Sequence, residues 1–312
     1  MTGPDDRVPF LDAETVARRL PPAAAVDAVT AALRNGLDPA KDIPRSAYGV
    51  PAGELLLMPA ATADHVGVKL AAVAPANPGR GLPRISAIYA LFDAPTLQLA
   101  ALLDGVALTN VRTPAVSVAA VRPWLERFTA PLRLVVFGAG PQGIGHVRTL
   151  AAVVPLASVH VVVRAPERVD YPDDLPPATV LASADLAVAE ALRRADVVVC
   201  ATTARTPLFD SSLLAGSAVV MAVGSHAPHA REVDGAWCAR ASVVVEDVTT
   251  ALREGGDVVR AVADGLLDED ALVPMRAVAD GSAPVASGPV LFKGSGMSWE
   301  DLVVAEAVLA AG

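Results

Sequence analysis

The sequence is poor in cysteine and aromatic residues, and it contains no long apolar run. Its 312 residues include two cysteines, Cys200 and Cys238, which are too few for a disulfide framework and do not form a Cys-x-x-Cys pair. The apolar runs end at Gly, Asp or Arg, well short of the roughly 20 residues that span a bilayer. The segment Met1–Leu11 lacks the apolar stretch of a secretion signal. These absences predict a cytoplasmic protein without a membrane segment.

The chain also lacks clusters of basic residues. It carries 25 Lys and Arg against 34 Asp and Glu, a formal net charge of −9. Nucleic acid and anionic membrane surfaces are polyanions, so neither is an expected partner. A hydrophobic share of 53% excludes a mainly disordered chain. The length of 312 residues predicts about two domains.

From Leu132 onward, short β-branched runs alternate with Ala- and Leu-rich stretches of helical spacing. Runs that are apolar on both faces are typical of a parallel sheet covered by helices on each side. The alternation predicts an α/β, doubly wound Rossmann domain over residues 123–294. One covering helix is predicted over Ala182–Arg194, with Leu186, Ala189 and Leu192 on a shared stripe. The predicted strands are Leu134–Phe137, Val159–Val163, Val197–Cys200, Ala218–Val223 and Val243–Val245.

The first part of the chain has a different pattern. A helical stretch, Thr15–Leu33, is broken at Pro21-Pro22, and strands joined by Pro- and Gly-containing turns follow it. Another helix, Trp299–Ala310, is predicted to be amphipathic, to have Ser298 as its N-cap and to pack on this region. Residues 1–122 and 295–312 are therefore expected to form a discontinuous α+β domain. Its predicted strands are Glu54–Met58, Val66–Val73, Ile85–Asp93 and Leu97–Leu103.

A Gly-x-Gly-x-x-Gly sequence follows the first predicted strand of the Rossmann domain and opens a helix that runs to about Val153. In this context the first glycine permits a tight turn, the second lets the backbone approach a diphosphate, and the third lets helix and strand pack closely. The helix N-terminus adds free N–H groups and the positive end of its dipole. The pattern favours a dinucleotide site over a glycine-rich turn without a ligand. Its predicted cofactor contacts are Gly138, Gly140, Pro141, Gln142 and Gly143.

The end of the second strand bears on which nicotinamide dinucleotide is bound. An acidic residue there would accept hydrogen bonds from the ribose hydroxyls of NAD, whereas this chain has Val163 and then Arg164. Arg164 can bind a 2′-phosphate, or it can be a solvated loop residue. The sequence therefore favours NADP(H) over NAD(H). Thr202 and Thr203 follow Val197–Cys200 at the carboxyl edge of the sheet and are further predicted cofactor contacts.

Three basic residues of the first domain, Arg45, Lys69 and Arg112, stand in apolar or turn-rich surroundings. Lys69 lies within the near-continuous apolar strand Val66–Val73, where an unpaired buried charge would cost several kcal/mol. It must therefore reach solvent, pair with an acid or face a cavity. Each of the three, taken alone, is typical of a solvated surface residue.

A series of short strings resembles, in order and spacing, the ornithine cyclodeaminase/mu-crystallin family, and the match spans nearly the whole chain. Besides the glycine loop, the strings are Ile43-Pro44-Arg45, Leu57-Met58-Pro59, Gly67-Val68-Lys69, Gly81-Leu82-Pro83, Leu108-Thr109-Asn110-Val111-Arg112-Thr113, Val223-Gly224-Ser225 and Leu291-Phe292-Lys293-Gly294-Ser295-Gly296.

The resemblance implies a homodimer of two-domain subunits, in which a Rossmann domain binds a nicotinamide dinucleotide and the discontinuous domain binds substrate and dimerises. It also implies that Arg45, Lys69 and Arg112 hold the α-carboxylate of a small-molecule substrate. Guanidinium groups bind carboxylates bidentately and a lysine adds a compact donor. Gly224 and Ser225, within a matching string, are predicted cofactor contacts. Family members share hydride transfer between the nicotinamide and the α-carbon of an amino acid or imine.

The sequence departs from the cyclodeaminases at two positions. Where they carry a glutamate, this chain has Leu56, with Glu54 two residues earlier, and where they carry an aspartate, it has His226. Cyclodeamination needs a base at the α-amine and a carboxylate near the distal ammonium. Reduction of a preformed imine needs carboxylate binding, hydride geometry and a proton donor. His226 and Lys69 are the predicted donors, although His226 can alternatively serve only to shape the nicotinamide pocket.

The sequence therefore predicts an NAD(P)H-dependent ketimine reductase that acts on a small cyclic imine carboxylate, Δ1-pyrroline-2-carboxylate or Δ1-piperideine-2-carboxylate. The enzyme alternatives are an ornithine or other amino-acid cyclodeaminase and an alanine-type dehydrogenase. The non-enzyme alternative is a mu-crystallin-like, NADP-dependent protein that binds a small ligand. No metal site is predicted, because Pro228 stands between His226 and His229 and no acidic or thiol partner has ligand spacing.

Overall fold

A computed structural model describes residues 8–312 of the chain. The chain forms two compact units, Met1–Arg112 with Met297–Gly312, and Thr113–Gly296. We call them the mixed-sheet unit and the parallel-sheet unit. The division at Arg112 lies within a helix, Gly105–Leu125, whereas the sequence predicts domain limits at 122 and 295. Residues 1–7 of the expected first domain lie outside the described residues.

The elements of both units follow in chain order. The helices are α1 (Ala13–Arg19), α2 (Pro22–Arg34), α3 (Gly105–Leu125), α4 (Pro141–Val153), α5 (Ala187–Arg194), α6 (Gly235–Cys238), α7 (Val248–Glu254), α8 (Gly256–Ala263), α9 (Met275–Ala279) and α10 (Ser298–Ala310). The strands are β1 (Phe10–Leu11), β2 (Ser46–Val50), β3 (Gly53–Ala61), β4 (His65–Val73), β5 (Ile85–Asp93), β6 (Leu99–Asp104), β7 (Leu132–Phe137), β8 (Leu156–Val163), β9 (Ala178–Ala182), β10 (Val197–Cys200), β11 (Val219–Ala222), β12 (Ser242–Val245), β13 (Val273–Pro274) and β14 (Val290–Lys293).

The mixed-sheet unit is built on a six-stranded sheet in the order β1-β6-β5-β4-β3-β2. β1 runs parallel to β6, and the other neighbouring strands are antiparallel. The helical stretch breaks where the sequence predicts, because Pro22 takes the first position of α2. The predicted strand at Leu97 starts instead at Leu99, because Leu97 has a φ of 54° in the preceding turn.

Helix α10 contacts α2, β3 and β4 within the mixed-sheet unit. It is buried around most of its circumference, so the expected amphipathic pattern is wrong. The expected N-cap is also wrong, because Met297 and not Ser298 is the cap residue. The carboxylate of Asp42 accepts hydrogen bonds from the backbone N–H groups of Ser298 and Trp299, at 2.8 and 3.2 Å. A distant acid therefore replaces the local serine as the partner of these N–H groups.

The parallel-sheet unit contains an eight-stranded, wholly parallel sheet in the order β13-β12-β14-β11-β10-β7-β8-β9. The central strands are fully buried, as expected for a sheet with helices on both faces. The strand order reverses on the two sides of β7, which is the doubly wound arrangement. The predicted α/β class is therefore confirmed.

One predicted helix of this unit is wrong in its bounds. The helix is predicted over Ala182–Arg194, but Ala182 is the last residue of β9 and α5 starts only at Ala187. The carboxylate of Asp185 accepts a hydrogen bond from the Ala187 N–H, which fixes this start. Leu186 is 89% exposed, and the buried stripe consists of Val188, Ala191 and Leu192. Among residues 8–312, no helix is both long and apolar enough to cross a membrane.

Candidate functional site

The glycine loop of the parallel-sheet unit connects β7 to α4. Gly138 has a φ of 101°, and a Cβ on it would lie 2.5 Å from the Ala201 carbonyl oxygen. A Cβ on Gly143 would lie 1.9 Å from the Gly138 carbonyl oxygen, so helix and turn touch. At Gly140 a Cβ would meet no atom within 4 Å, so the backbone there borders open space. Helix α4 begins with Pro141 and has no side-chain cap at its N-terminus. These features fit a bound diphosphate.

A buried histidine supports the first turn of α4. Nδ1 of His146 lies 2.7 Å from the Gln142 carbonyl oxygen, and Nε2 lies 3.0 Å from Oγ of Ser117 on α3. Burial lowers the pKa of His146 to about 4, so the ring is neutral at pH 7. Since a carbonyl oxygen only accepts, Nδ1 carries the proton, and the single Ser117 hydroxyl proton has two acceptors within reach, Nε2 and the Thr113 carbonyl oxygen at 2.9 Å. The sequence alone offers no partner for His146.

The residues predicted to select the dinucleotide follow β8. Val163 ends this strand, and Arg164 is the exposed residue after it. β8 lies next to β7 in the sheet, so Arg164 and the glycine loop occupy the same carboxyl edge. An exposed guanidinium at this edge can meet a 2′-phosphate.

The turns after β10 and β11 are held by a buried glutamate. Oε1 of Glu232 accepts hydrogen bonds from the backbone N–H and the hydroxyl of Thr202, at 2.8 and 2.7 Å. Its Oε2 accepts a hydrogen bond from the Gly224 N–H at 2.7 Å. The Ser225 hydroxyl donates to the Ala230 carbonyl at 2.7 Å, so it is turned inward. Thr203 is exposed at the same edge.

Glu232 belongs to a network with Asp257 and Lys293 that sequence reasoning missed. All three residues are fully buried. Oδ1 of Asp257 accepts hydrogen bonds from the Glu232 and Val233 N–H groups, at 2.7 and 2.8 Å. Lys293 Nζ lies 3.3 Å from Asp257 Oδ2 and donates to the Ser225 carbonyl at 2.7 Å. Burial raises the pKa of Glu232, and the charge of Lys293 opposes this effect.

His226 follows Ser225 in an exposed turn of the parallel-sheet unit. Its position after β11 puts it at the carboxyl edge that also carries Gly224. In residues 8–312, no group of three or more His, Cys, Asp or Glu residues could hold a metal ion.

In the mixed-sheet unit, two of the three predicted cations lie together with two acids. Lys69 Nζ donates to Asp301 Oδ2 at 2.5 Å and to the Thr109 hydroxyl at 3.3 Å. Arg112 donates to Glu300 through Nη1, and its Nε lies 3.7 Å from Asp301 Oδ1. The side chains of Lys69 and Arg112 are 4% and 8% exposed, whereas both acids are fully buried. The acids therefore lie deeper in the protein than the cations. We call these four side chains the buried ionic quartet.

The third cation, Arg45, is half-buried and directly precedes β2. Asp42, three residues before Arg45, accepts hydrogen bonds from the N-terminus of α10. Helix α10 carries Glu300 and Asp301 of the quartet, so the segment of Arg45 is tied to the quartet by this helix. Burial raises the pKa of Asp42 to about 6, and the charge of Glu300 acts in the same direction.

The environment of Lys69 also changes its acidity. Burial lowers the pKa of the ammonium, an effect that Asp301 opposes and Arg112 reinforces. Glu300 and Asp301 were visible in the sequence as adjacent acids in the first turn of a helix. Such a pair is typical of a favourable helix-dipole interaction, which is why their pairing with the cations was missed.

The position of Glu54 bears on the cyclodeaminase alternative. β3 pairs with β4 so that Met58 faces Lys69, Leu56 faces Ala71 and Glu54 faces Val73. Glu54 is exposed and lies four residues along β3 from Met58, so it is about 14 Å from the Met58–Lys69 pair. Glu54 is therefore about twice as far along the strand from the Lys69 pair as Leu56, the position of the absent glutamate.

Residues 9–310 match the model of the ornithine cyclodeaminase/mu-crystallin family. The chain is 32% identical over 259 residues to Delta(1)-pyrroline-2-carboxylate reductase 2 of Burkholderia ambifaria, with 80% of this chain and 78% of the relative covered. It is also 32% identical over 259 residues to the Delta(1)-pyrroline-2-carboxylate/Delta(1)-piperideine-2-carboxylate reductase of Azospirillum brasilense, with the same coverage.

The fold is also found in a solved structure. Thermococcus litoralis Delta(1)-pyrroline-2-carboxylate reductase, in complex with NADH and L-proline, matches with a TM-score of 0.85 and 22% identity, and the match covers 97% of each chain. The match to the family model takes in the glycine loop and the buried ionic quartet alike. As its sequence predicts, this chain belongs to the ornithine cyclodeaminase/mu-crystallin family.

Proposed function

We propose that this protein is an NAD(P)H-dependent reductase of a small cyclic imine carboxylate, Δ1-pyrroline-2-carboxylate or Δ1-piperideine-2-carboxylate. The observation that carries the proposal is the pair of nearly buried cations, Lys69 and Arg112, each oriented by an acid behind it. The names of the Burkholderia and Azospirillum relatives support the reductase branch and these two ring sizes. The distance of Glu54 from Lys69 argues against cyclodeamination.

The charge of the quartet favours a zwitterionic substrate. Lys69 and Arg112 are balanced by Glu300 and Asp301, so the four side chains are together neutral. A bound carboxylate alone would leave one negative charge in a poorly solvated site. A protonated imine nitrogen on the same molecule would offset it. A cyclic iminium carboxylate carries both charges, because its carboxylate is bonded to the carbon of the C=N double bond.

In the proposed mechanism, the chain orients the substrate and supplies a proton. Arg112 and Lys69 bind the carboxylate and fix the imine carbon for attack. A bound reduced dinucleotide supplies the hydride that this carbon receives. The nitrogen gains or already holds a proton, so the C=N double bond becomes C–H and N–H, and the product is a cyclic amino acid. Arg45 completes the carboxylate site in this proposal.

Lys69 and His226 are the proposed proton donors. Burial makes the Lys69 ammonium a stronger acid, which suits proton donation. Asp301 and Thr109 take two of its three N–H groups among the described residues, so one remains for a substrate atom. His226 is exposed at the carboxyl edge of the parallel sheet, where an imidazolium can also donate.

The parallel-sheet unit is the proposed dinucleotide domain, and NADP(H) is the proposed cofactor. The diphosphate would lie against Gly138, Gly140, Pro141, Gln142 and Gly143, and the nicotinamide end against Thr202, Thr203, Gly224 and Ser225. The exposed Arg164 after β8 supports binding of a 2′-phosphate. Position 163, where an acid would repel that phosphate, is a valine.

The exposed face of the mixed sheet supports a homodimer. Leu57 pairs with Leu70, and Leu70 pairs with Ile88, so the three form one row across β3, β4 and β5. They are 37%, 43% and 37% exposed. Tyr48, on the edge strand β2, is 57% exposed. A contiguous apolar face of this kind is typical of a protein interface, and a second copy of the chain presents the same face.

A cytoplasmic location is proposed on the chemistry of the cysteines. Cys200 and Cys238 are both buried and free. Burial raises the pKa of both thiols, to about 12 for Cys238, so they stay protonated, and free thiols of this kind are typical of a reducing compartment.

The test is a substrate panel with purified protein. Oxidation of NADPH and of NADH is followed at 340 nm with each cyclic imine carboxylate, and ammonia and proline are measured after incubation with ornithine and NAD. We expect turnover of the imines with a preference for NADPH, and no proline from ornithine. Robust proline formation would move the function to cyclodeamination. Tight ligand binding without turnover of any imine would indicate a binding protein.

A further inference from the structure

A network of charged side chains in the parallel-sheet unit is fully buried and has no part in the proposed chemistry: Glu232, Asp257 and Lys293. Moving a charged group from water to a protein interior costs several kcal/mol, and a hydrophobic replacement is often neutral or better. Stability alone is therefore a weak explanation for this network. The hydrogen bonds of Glu232 and Lys293 reach the turns that follow β10 and β11, at the carboxyl edge of the sheet.

Glu232 joins two turns that leave neighbouring strands. β10 and β11 are paired so that Cys200 faces Ala222. Thr202 follows the first strand and Gly224 the second, and both donate their backbone N–H to the Glu232 carboxylate. The turns are also in close contact, because a Cβ on Gly224 would lie 2.0 Å from the Thr202 carbonyl oxygen.

Asp257 and Lys293 hold this glutamate and the turn after β11. Asp257 accepts the backbone N–H of Glu232 itself, which fixes the point from which the glutamate side chain extends. Lys293, at the end of β14, binds the Ser225 carbonyl oxygen and lies 3.3 Å from Asp257. The Gly224–Ser225 segment is thus bound on one side by Glu232 and on the other by Lys293.

We propose that Glu232 is a positioning residue for the nicotinamide end of the dinucleotide, and that Asp257 and Lys293 hold it in place. β10 lies next to β7, which carries the glycine loop. The carboxyl ends of β10 and β11 are therefore where the far end of a dinucleotide lies when its diphosphate is on that loop. Glu232 acts through Thr202 and Gly224 and does not touch the cofactor. The inference rests on the proposed dinucleotide site.

The test compares Glu232→Gln with Glu246→Gln. Thr202 and Gly224 donate to different oxygens of Glu232, and a glutamine replaces one of them by an NH2 group that only donates, so one of the two turns loses its acceptor. Glu246 is also buried and accepts backbone N–H groups, from Ser295 and Gly296 at 2.8 and 3.0 Å, so its substitution is a matched control for stability. Glu232→Asp keeps the charge but is too short to reach both turns, and it serves if Glu232→Gln does not fold.

Two measurements are made on each variant. The first is the affinity for NADPH relative to that for ADP-ribose 2′-phosphate, which lacks the nicotinamide ring. The second is the single-turnover rate of hydride transfer to Δ1-pyrroline-2-carboxylate. We expect Glu232→Gln to weaken NADPH at least tenfold more than the ring-less ligand and to slow hydride transfer about 100-fold. Glu232→Asp should show smaller losses, and Glu246→Gln should match the wild type in both measurements.

Equal losses for NADPH and ADP-ribose 2′-phosphate would overturn the inference, and so would equal hydride-transfer rates in Glu232→Gln and Glu246→Gln. The binding comparison needs no substrate. A wild-type protein that binds NADPH but reduces no imine would therefore refute the proposed reaction and still leave the role of Glu232 to be decided by the affinity ratio.

Discussion

Replacement of His146 by glutamine should remove a pH-dependent part of the stability. Burial lowers the pKa of His146 from 6.5 to about 4, so the folded protein excludes a proton that the unfolded chain binds below pH 6.5. The free energy of unfolding must then fall as pH decreases through this window, and it is fully retained above it. The separation of the two pKa values corresponds to about 3 kcal/mol. The loss begins near pH 6.5 and is complete near pH 4.

The assay is urea unfolding of wild type and His146→Gln at intervals between pH 7.5 and pH 4. Other titrating groups are common to both proteins, so the difference between the two curves isolates His146. We expect the wild type to lose about 3 kcal/mol more than the variant over the window. Ser117→Ala is the control, since it removes the hydroxyl next to Nε2 and leaves the imidazole. It should lower stability by a similar amount at every pH.

Parallel pH profiles for wild type and His146→Gln would refute this reasoning, because the histidine would then titrate alike in the folded and unfolded chains. A profile in which the wild type gains stability on acidification would refute the sign. The result matters for the cofactor site, because His146 fixes the first turn of α4 through the Gln142 carbonyl.

Four further predictions concern the proposed sites. Arg112→Lys keeps the charge opposite Glu300 but loses the planar fork, so kcat/KM for the imine should fall while NADPH affinity is unchanged, as measured by steady-state kinetics and fluorescence titration. Arg164→Ala should weaken NADPH more than NADH in the same titration, because only NADPH carries the 2′-phosphate. His226→Asn should slow single-turnover reduction by about 10²–10⁴-fold if His226 is the sole proton donor, and by less if Lys69 shares the task. Leu70→Asp places a charge in the apolar row of the mixed sheet and should shift the protein from dimer to monomer in sedimentation analysis.

The outcomes that would contradict these predictions are distinct. An unchanged kcat/KM in Arg112→Lys would remove the guanidinium fork from the carboxylate site. Equal losses of NADPH and NADH in Arg164→Ala, or a wild-type preference for NADH, would overturn the cofactor choice. A wild-type rate in His226→Asn would limit His226 to shaping the pocket. A Leu70→Asp protein that sediments like the wild type would place any dimer contact elsewhere.

The sequence by itself determined the features that lie within one continuous segment. The glycine loop needs a strand, three glycines and a helix start, and all of these lie between Leu132 and Val153. Their conformations follow from local sterics, so spacing alone predicted the tight turn at Gly138 and the close packing at Gly143. The buried β-branched runs likewise predicted a parallel sheet, because runs apolar on both faces require cover on both faces.

Only the tertiary structure decided which charges meet. Lys69 and Asp301 are 232 residues apart, and Arg112 and Glu300 are 188 apart. No local pattern links such residues, because an ion pair depends on which elements pack together and in which register. The same holds for Glu232 and Lys293, and for Glu54, which only the pairing of β3 with β4 showed to lie far from Lys69. The resemblance to the family implied that the cations hold a carboxylate. The fold added the acids that balance and orient them, because a charge buried in a protein interior requires a partner.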